Sequence, residues 1–127
     1  MHFWLLKSEP SEYSWQKMEC DQAVPWDGVR NHQAQNYMKN MKVGDLAFFY
    51  HTGKEKAVVG IVEILKEYYS NSLVDVKYLR SLNNKVTLQN IKQNLFLKDM
   101  HILKQPRLSI SPVSEIEWNE IIKMSKC

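Results

Sequence analysis

At 127 residues with 44% apolar side chains, the chain can bury one sizeable core and has no room for a second. Its 17 Lys and Arg against 14 Asp and Glu leave a formal charge of +3. With 24% charged and 11% aromatic residues, the composition excludes a disordered or collagen-like chain.

His2 to Lys7 reads as a short strand of aromatic and aliphatic residues, stopped by Pro10 because proline cannot donate to a ladder, with a loop from Ser8. Ser14 is placed to cap a short helix running to Cys20. Pro25-Trp26-Asp27-Gly28 is turn chemistry with Gly28 free to take positive φ, which makes Trp26 a loop tryptophan. Asn31 then predicts the N-cap of a helix whose Ala34, Tyr37, Met38 and Met41 share one face and which ends near Gly44.

Asp45 to His51 and Ala57 to Leu65 are rich in Val, Ile and Phe and are separated by residues 52–56, the pattern of an antiparallel hairpin. Gly60 inside the second run marks a bulge or tight bend. Alternation of Val74, Val76 and Tyr78 with Asp75 and Lys77 predicts a half-buried strand from Leu73 to Leu79. Thr87 predicts a cap for a helix to about Asn94, and Met100 to Lys104 with Arg107 to Ile110 read as one or two short strands around Pro106. Ser114 and Glu117 form a capping box, Val113 and Trp118 stand at the staple positions around it, and Ile121 and Ile122 continue the stripe of a final helix. Strands in the middle with short helices between them predict an α+β fold around a small curved or closed sheet. Successive central strands without helical crossovers argue against a doubly wound parallel sheet.

His2, His32, His51 and His101 lack the spacing to carboxylates or cysteines that a metal site needs, and Gly28, Gly44, Gly53 and Gly60 are too dispersed for a phosphate loop. The expectation is no metal and no cofactor. Nucleophiles would come from Ser8, Ser109, Ser111 or Cys20 with His51 or His32 as base, but none sits in an elbow or other flanking signature. Cys20 and Cys127 make neither a disulfide framework nor a zinc pattern, which suits a reducing compartment. No run approaches the ~20 apolar residues of a membrane helix, and the opening residues resemble no leader peptide. These features predict a cytoplasmic protein, nuclear in a eukaryote, with no membrane partner. The sequence pI near 8.8 permits attraction to phosphate, but the basic residues are scattered among acids rather than gathered in a stripe.

Aromatic residues are the more informative feature: Trp4, Trp15, Trp26 and Trp118, with Phe48, Phe49 and Tyr50 on one strand. Trp118 and Phe48 lie in segments that must pack a core. Trp26 stands in a turn beside Arg30 and Asn31, where an indole face, an amide and a guanidinium can hold a flat heterocycle. Stacking on an aromatic ring is worth roughly 1–3 kcal/mol per base, enough to anchor one nucleobase.

Four ordered blocks also carry a family resemblance: Trp4-Leu5-Leu6-Lys7-Ser8-Glu9-Pro10; Trp26-Asp27-Gly28-Val29-Arg30-Asn31 with Gln33-Ala34; Met41-Lys42-Val43-Gly44-Asp45 leading to Phe49-Tyr50-His51; and Arg107-Leu108-Ser109-Ile110-Ser111-Pro112-Val113. Together they closely resemble the EVE domain, part of the PUA-like superfamily, over nearly the whole chain. The resemblance implies one domain over residues 1–127, a small mixed β-barrel with flanking short helices, and recognition of a modified nucleobase in DNA or RNA, by analogy with the related YTH and SRA domains. It carries over Lys7, Ser8 and Trp26 to base binding first, then Asn31, Tyr50 and His51. Arg30, Arg107 and Ser109 are assigned to the rim or to phosphate, and the chain is expected to act as a monomer. Family members commonly carry Arg where Gln35 stands and Ser where Pro106 stands. The competing readings are a small enzyme acting through His51 or Ser109 and a protein-interaction module using the same cleft.

Overall fold

The computed structural model describes residues 1–126, so Cys127 lies outside the described residues. Its centre is a six-stranded sheet in the order β2-β5-β4-β3-β1-β6. The strands are β1 (Phe3–Ser8), β2 (Ala23–Trp26), β3 (Leu46–His51), β4 (Ala57–Tyr69), β5 (Leu73–Thr87) and β6 (Ile110–Val113). β1 runs parallel to β3, from Phe3↔Leu46 to Ser8↔His51, and every other pairing is antiparallel. A parallel pair needs a long crossover. Here the crossover holds α1 (Trp15–Asp21), β2 and α2 (His32–Asn40), which brings β2 to the far edge of the sheet.

The expected barrel does not close. β2 and β6 are the edges, four residues each, and Pro25 and Pro112 remove one donor from each. A short strand containing proline is a poor template for further pairing, so the sheet curves and stays open. The curvature comes from β4 and β5, whose pairing shifts register at Val58/Gly60 and again at three later points. β5 also runs to Thr87, well past the predicted end at Leu79.

Strand alternation divides the apolar residues between the two faces. Trp4, Leu6, Ala47 and Phe49 join Met18, Ala34 and Met38 of α1 and α2 in one cluster. Leu5, Phe48 and Tyr50 join Ile91, Leu97, Ile102, Trp118 and Ile121 in the other. That second cluster is covered by α3 (Leu88–Lys92), a 3-10 turn at Leu95–Leu97, α4 (His101–Lys104) and α5 (Glu115–Met124). Trp118 stacks on Phe48 with ring centroids 3.8 Å apart and on Phe3 at 4.5 Å.

Four helix starts follow the sequence. Ser14 Oγ accepts from Lys17 N, Asn31 Oδ1 accepts from Ala34 N, and Thr87 and Ser114 form reciprocal boxes with Asn90 and Glu117. Two assignments change. Met100 to Lys104 is not a strand: residues His101–Lys104 form a turn of helix, and the strand near the end is Ile110–Val113 rather than Arg107 to Ile110. Trp26 is not in a loop; it is the last residue of β2, paired with Val74. The turn begins one residue later, with Gly28 at φ 74°.

Candidate functional site

The C-terminal ends of β1 and β2 open onto a common cavity of about 550 Å³, within the range of small-molecule pockets. Its walls are Lys7, Ser8, Glu9, Glu12 and Tyr13 from the end of β1 and the loop after it, Val24 to Val29 from β2 and its turn, and Ser109. Trp26 is only 9% exposed, and Phe49 meets its ring in a T-shaped contact at 5.6 Å. Trp26 therefore packs into the core and also contributes to the lining of the cavity.

Local bonds hold the walls. Lys7 N donates to Ser109 O at 2.9 Å, which laces the segment before β6 to β1. Ser8 Oγ donates to the Tyr13 carbonyl, closing the loop on itself, and Ser8 O accepts from Thr52 N. Tyr13 donates its phenol proton to Asp21 Oδ2 at 2.9 Å; burial, then that carboxylate, hold the proton more firmly than usual. On the other wall, Gln35 Nε2 donates to Val29 O at 2.6 Å while Gln35 Oε1 accepts from Tyr68. The turn after Trp26 is thereby tied to the β4–β5 hairpin. Lys7 Nζ donates to Pro106 O, and burial lowers the pKa of this ammonium.

Of the positions named from the sequence, Lys7, Ser8, Trp26 and Ser109 line the cavity together. Arg30 and Arg107 are exposed and outside its lining. Asn31 spends its side-chain oxygen on the cap of α2. Tyr50 belongs to the cluster on the other face, 3% exposed, and burial pushes its phenol up to about 12. His51 is on the same face as Phe49 but has both ring nitrogens in use: Trp15 N donates to Nε2 at 2.9 Å, and Nδ1 is 2.7 Å from Glu55 Oε1. An accepting Nε2 assigns the proton to Nδ1, the tautomer that donates to Glu55. His51 thus joins the start of α1 to the β3–β4 turn and offers no free base to a nucleophile.

Burial raises the pKa of the Glu55 carboxyl, but hydrogen bonds from His51 and Lys85 outweigh it and hold the pKa below the usual 4.5. A depressed carboxylate pKa stabilises the fold above the unfolded value, and the contribution is lost as pH falls through the folded value. Glu55→Gln is therefore expected to lower the urea midpoint near neutral pH. The difference from wild type should shrink below about pH 4.5. The group is partly solvated, so the effect is modest.

Glu9, Glu12, Tyr13 and Asp27 are lining residues that the sequence reading did not select. Glu9 and Asp27 adjoin Ser8 and Trp26 in the quoted blocks, and that adjacency was the available signal. Among the described residues no three His, Cys, Asp or Glu side chains gather as a metal-binding group, and no helix is long and apolar enough to cross a membrane.

Comparison with known proteins gives a consistent family. The sequence matches the EVE domain over residues 2–124. Thymocyte nuclear protein 1 of Gallus gallus is 32% identical over 97% of this chain and 68% of its own length. The NMR structure of Rpa0253 from Rhodopseudomonas palustris superposes with a TM-score of 0.93 at 39% identity, covering 99% of this chain and 94% of that one. The crystal structure of human THYN1 in complex with 5-methylcytosine containing DNA gives 0.95 at 29% identity, covering 100% and 99%. An open mixed sheet with α1 and α2 on one face and the remaining helices on the other is thus the PUA-like arrangement of these relatives, and the chain belongs to the EVE domain family.

Proposed function

We propose that this chain is a single-domain, non-catalytic nucleic-acid-binding module that takes one modified base into the cavity beside Trp26. The observation that carries this reading is the 550 Å³ cavity with a buried indole as one wall and Lys7, Ser8 and Ser109 at its edge. The human relative's complex with 5-methylcytosine containing DNA makes a methylated cytosine the first ligand to try. Base stacking supplies roughly 1–3 kcal/mol, while Arg30 and Arg107, exposed outside the cavity, are free to meet phosphates. With a net charge of only +3, affinity for unmodified strands is low and falls as salt rises. The exposed thiol of Cys20 suits a reducing cytoplasmic or nuclear setting.

The test is fluorescence anisotropy on oligonucleotides with and without one 5-methylcytosine. Trp26→Ala should remove the preference for the methylated strand, a loss of about 5- to 150-fold in affinity. Trp26→Phe, which keeps a ring, should retain most of it. Because Trp26 also packs on Phe49, thermal midpoints are measured alongside. A folded Trp26→Ala protein with the wild-type preference would reject the pocket.

A further inference from the structure

His51 lies outside the cavity lining, yet it fixes one of the cavity's walls. Residues 9–13 supply Glu9, Glu12 and Tyr13 to that lining, and Glu9 O closes their first turn by accepting from Glu12 N and Tyr13 N. Thr52, next in the chain to His51, ties the start of this wall to β3: its N–H donates to Ser8 O at 2.9 Å and its Oγ1 to Glu9 Oε2 at 3.1 Å. The far end is tied differently. Trp15 N–H stands at the first position of α1, where a helix has no acceptor of its own, and the Ser14 side chain is spent on Lys17 N. His51 Nε2 takes this buried N–H at 2.9 Å, from a residue only 8% exposed.

That acceptor exists only while the imidazole is neutral. A proton on Nε2 turns it into a donor facing a donor. Glu55 Oε1, 2.7 Å from Nδ1, keeps its partner when the ring becomes an imidazolium, with Lys85 behind it at 3.2 Å on Oε2. Glu9 is the other charge nearby, reached through Thr52. β1 and β4 place Ser8 and Ala57 opposite His51, α1 brings the Trp15 N–H, and Phe49 meets the ring in a T-shaped contact at 5.7 Å. Protonation therefore leaves the ring on Glu55 and releases Trp15 N–H. The Trp15 side chain stays packed on Phe49 and Tyr78, which confines the change to the junction of the loop with α1. We infer that His51 is a positioning residue for the cavity: its neutral Nε2 pins the end of the wall formed by residues 9–13, and its protonation frees that wall and weakens binding in the cavity. The loss of binding rests on the base-binding reading above; the movement of the wall does not.

Two measurements test it between about pH 8 and pH 5, the span over which imidazole ordinarily changes charge. In NMR spectra of the wild-type protein, the backbone amides of Glu12, Tyr13 and Trp15 should shift with a single midpoint, that of the His51 ring. In anisotropy titrations of a single strand carrying one 5-methylcytosine, wild-type affinity should fall through that midpoint by about 2- to 10-fold relative to His51→Gln, the worth of one hydrogen bond. The glutamine carbonyl reaches as far as Nε2, accepts, and does not titrate. His51→Gln should therefore hold its affinity across the range, whereas His51→Ala should be weak throughout. Taking the ratio to His51→Gln removes the gain in DNA affinity that protonation of the exposed His2 and His32 brings. A His51 ring that stays neutral across the range, wall amides that ignore its titration, or equal pH slopes in wild type and His51→Gln overturns the inference. Should the glutamine variant fail to fold, the wild-type amides decide by themselves. Amides that follow His51 in a protein that binds the strand at no pH overturn the base-binding reading and leave the pin standing.

Discussion

Gly60→Ala should be among the most damaging single substitutions in the chain, lowering unfolding free energy by about 3 kcal/mol, the upper end of the usual overpacking range. A Cβ at this position would lie 2.0 Å from Trp15 Cζ2 and 2.2 Å from Cε2, separations no packed pair tolerates. The indole cannot retreat cheaply. It stacks on Tyr78 at 4.8 Å, packs on Phe49 at 4.9 Å, and donates Nε1–H to Ser81 Oγ at 2.8 Å. Trp15 is also the first residue of α1, and its backbone N–H is held by His51. Displacing the ring therefore loosens the helix whose preceding loop forms a wall of the cavity. Urea titration should show the loss, and Trp15→Leu should recover part of it: the double variant should be more stable than the sum of the two single effects by at least about 1 kcal/mol. Strict additivity would place the cause in backbone freedom at the bulge instead.

Gly60 also shows how much of this fold was legible in the sequence. A glycine within a β-branched run signals a bulge or a close approach, and it is both here; the partner, 45 residues earlier in the chain, carries no local sign. Caps were readable at Ser14, Asn31, Thr87 and Ser114 because each is a bond between a side chain and a backbone group about three residues away. α4 was not readable. Its N-cap, Met100, makes no side-chain cap bond, and five consecutive mostly apolar residues fit a strand as well as a helix turn. Trp26 reads as a turn residue because its pairing with Val74 is a long-range event, invisible beside the local pull of Pro25 and Gly28.

The same division runs through the site. Lys7, Ser8, Trp26 and Ser109, taken from separate blocks of the sequence, do meet at one cavity. Tyr50 could have been separated from Phe49 by strand alternation alone, since neighbours in β3 face opposite sides. Glu12 lies in a loop where nothing local distinguishes a lining carboxylate from a solvated one.

Asp45 is the second position where one atom type decides stability. It is 3% exposed and sits at the start of β3, where a turn-forming aspartate would ordinarily face water. Its Oδ1 accepts from His2 N at 3.1 Å, and its Oδ2 accepts from Trp4 Nε1 at 3.1 Å and Lys42 N at 3.0 Å. Two donors from the distant β1 segment and one from three residues earlier thus converge on one carboxylate, fixing β1 against the loop that follows α2. Asp45→Ala strands buried donors, and each unsatisfied group costs about 1–3 kcal/mol. Asp45→Asn is the sharper test, because an amide keeps the shape but replaces one oxygen with an NH₂. Whichever way it turns, that NH₂ faces an N–H already pointing at the site. Asn should therefore destabilise by about 3 kcal/mol, nearly as much as Ala, with a fall of roughly 10 °C in Tm. If Asn were instead nearly neutral while Ala was costly, shape rather than acceptor count would hold this corner, and the charge of Asp45 would be dispensable to the fold.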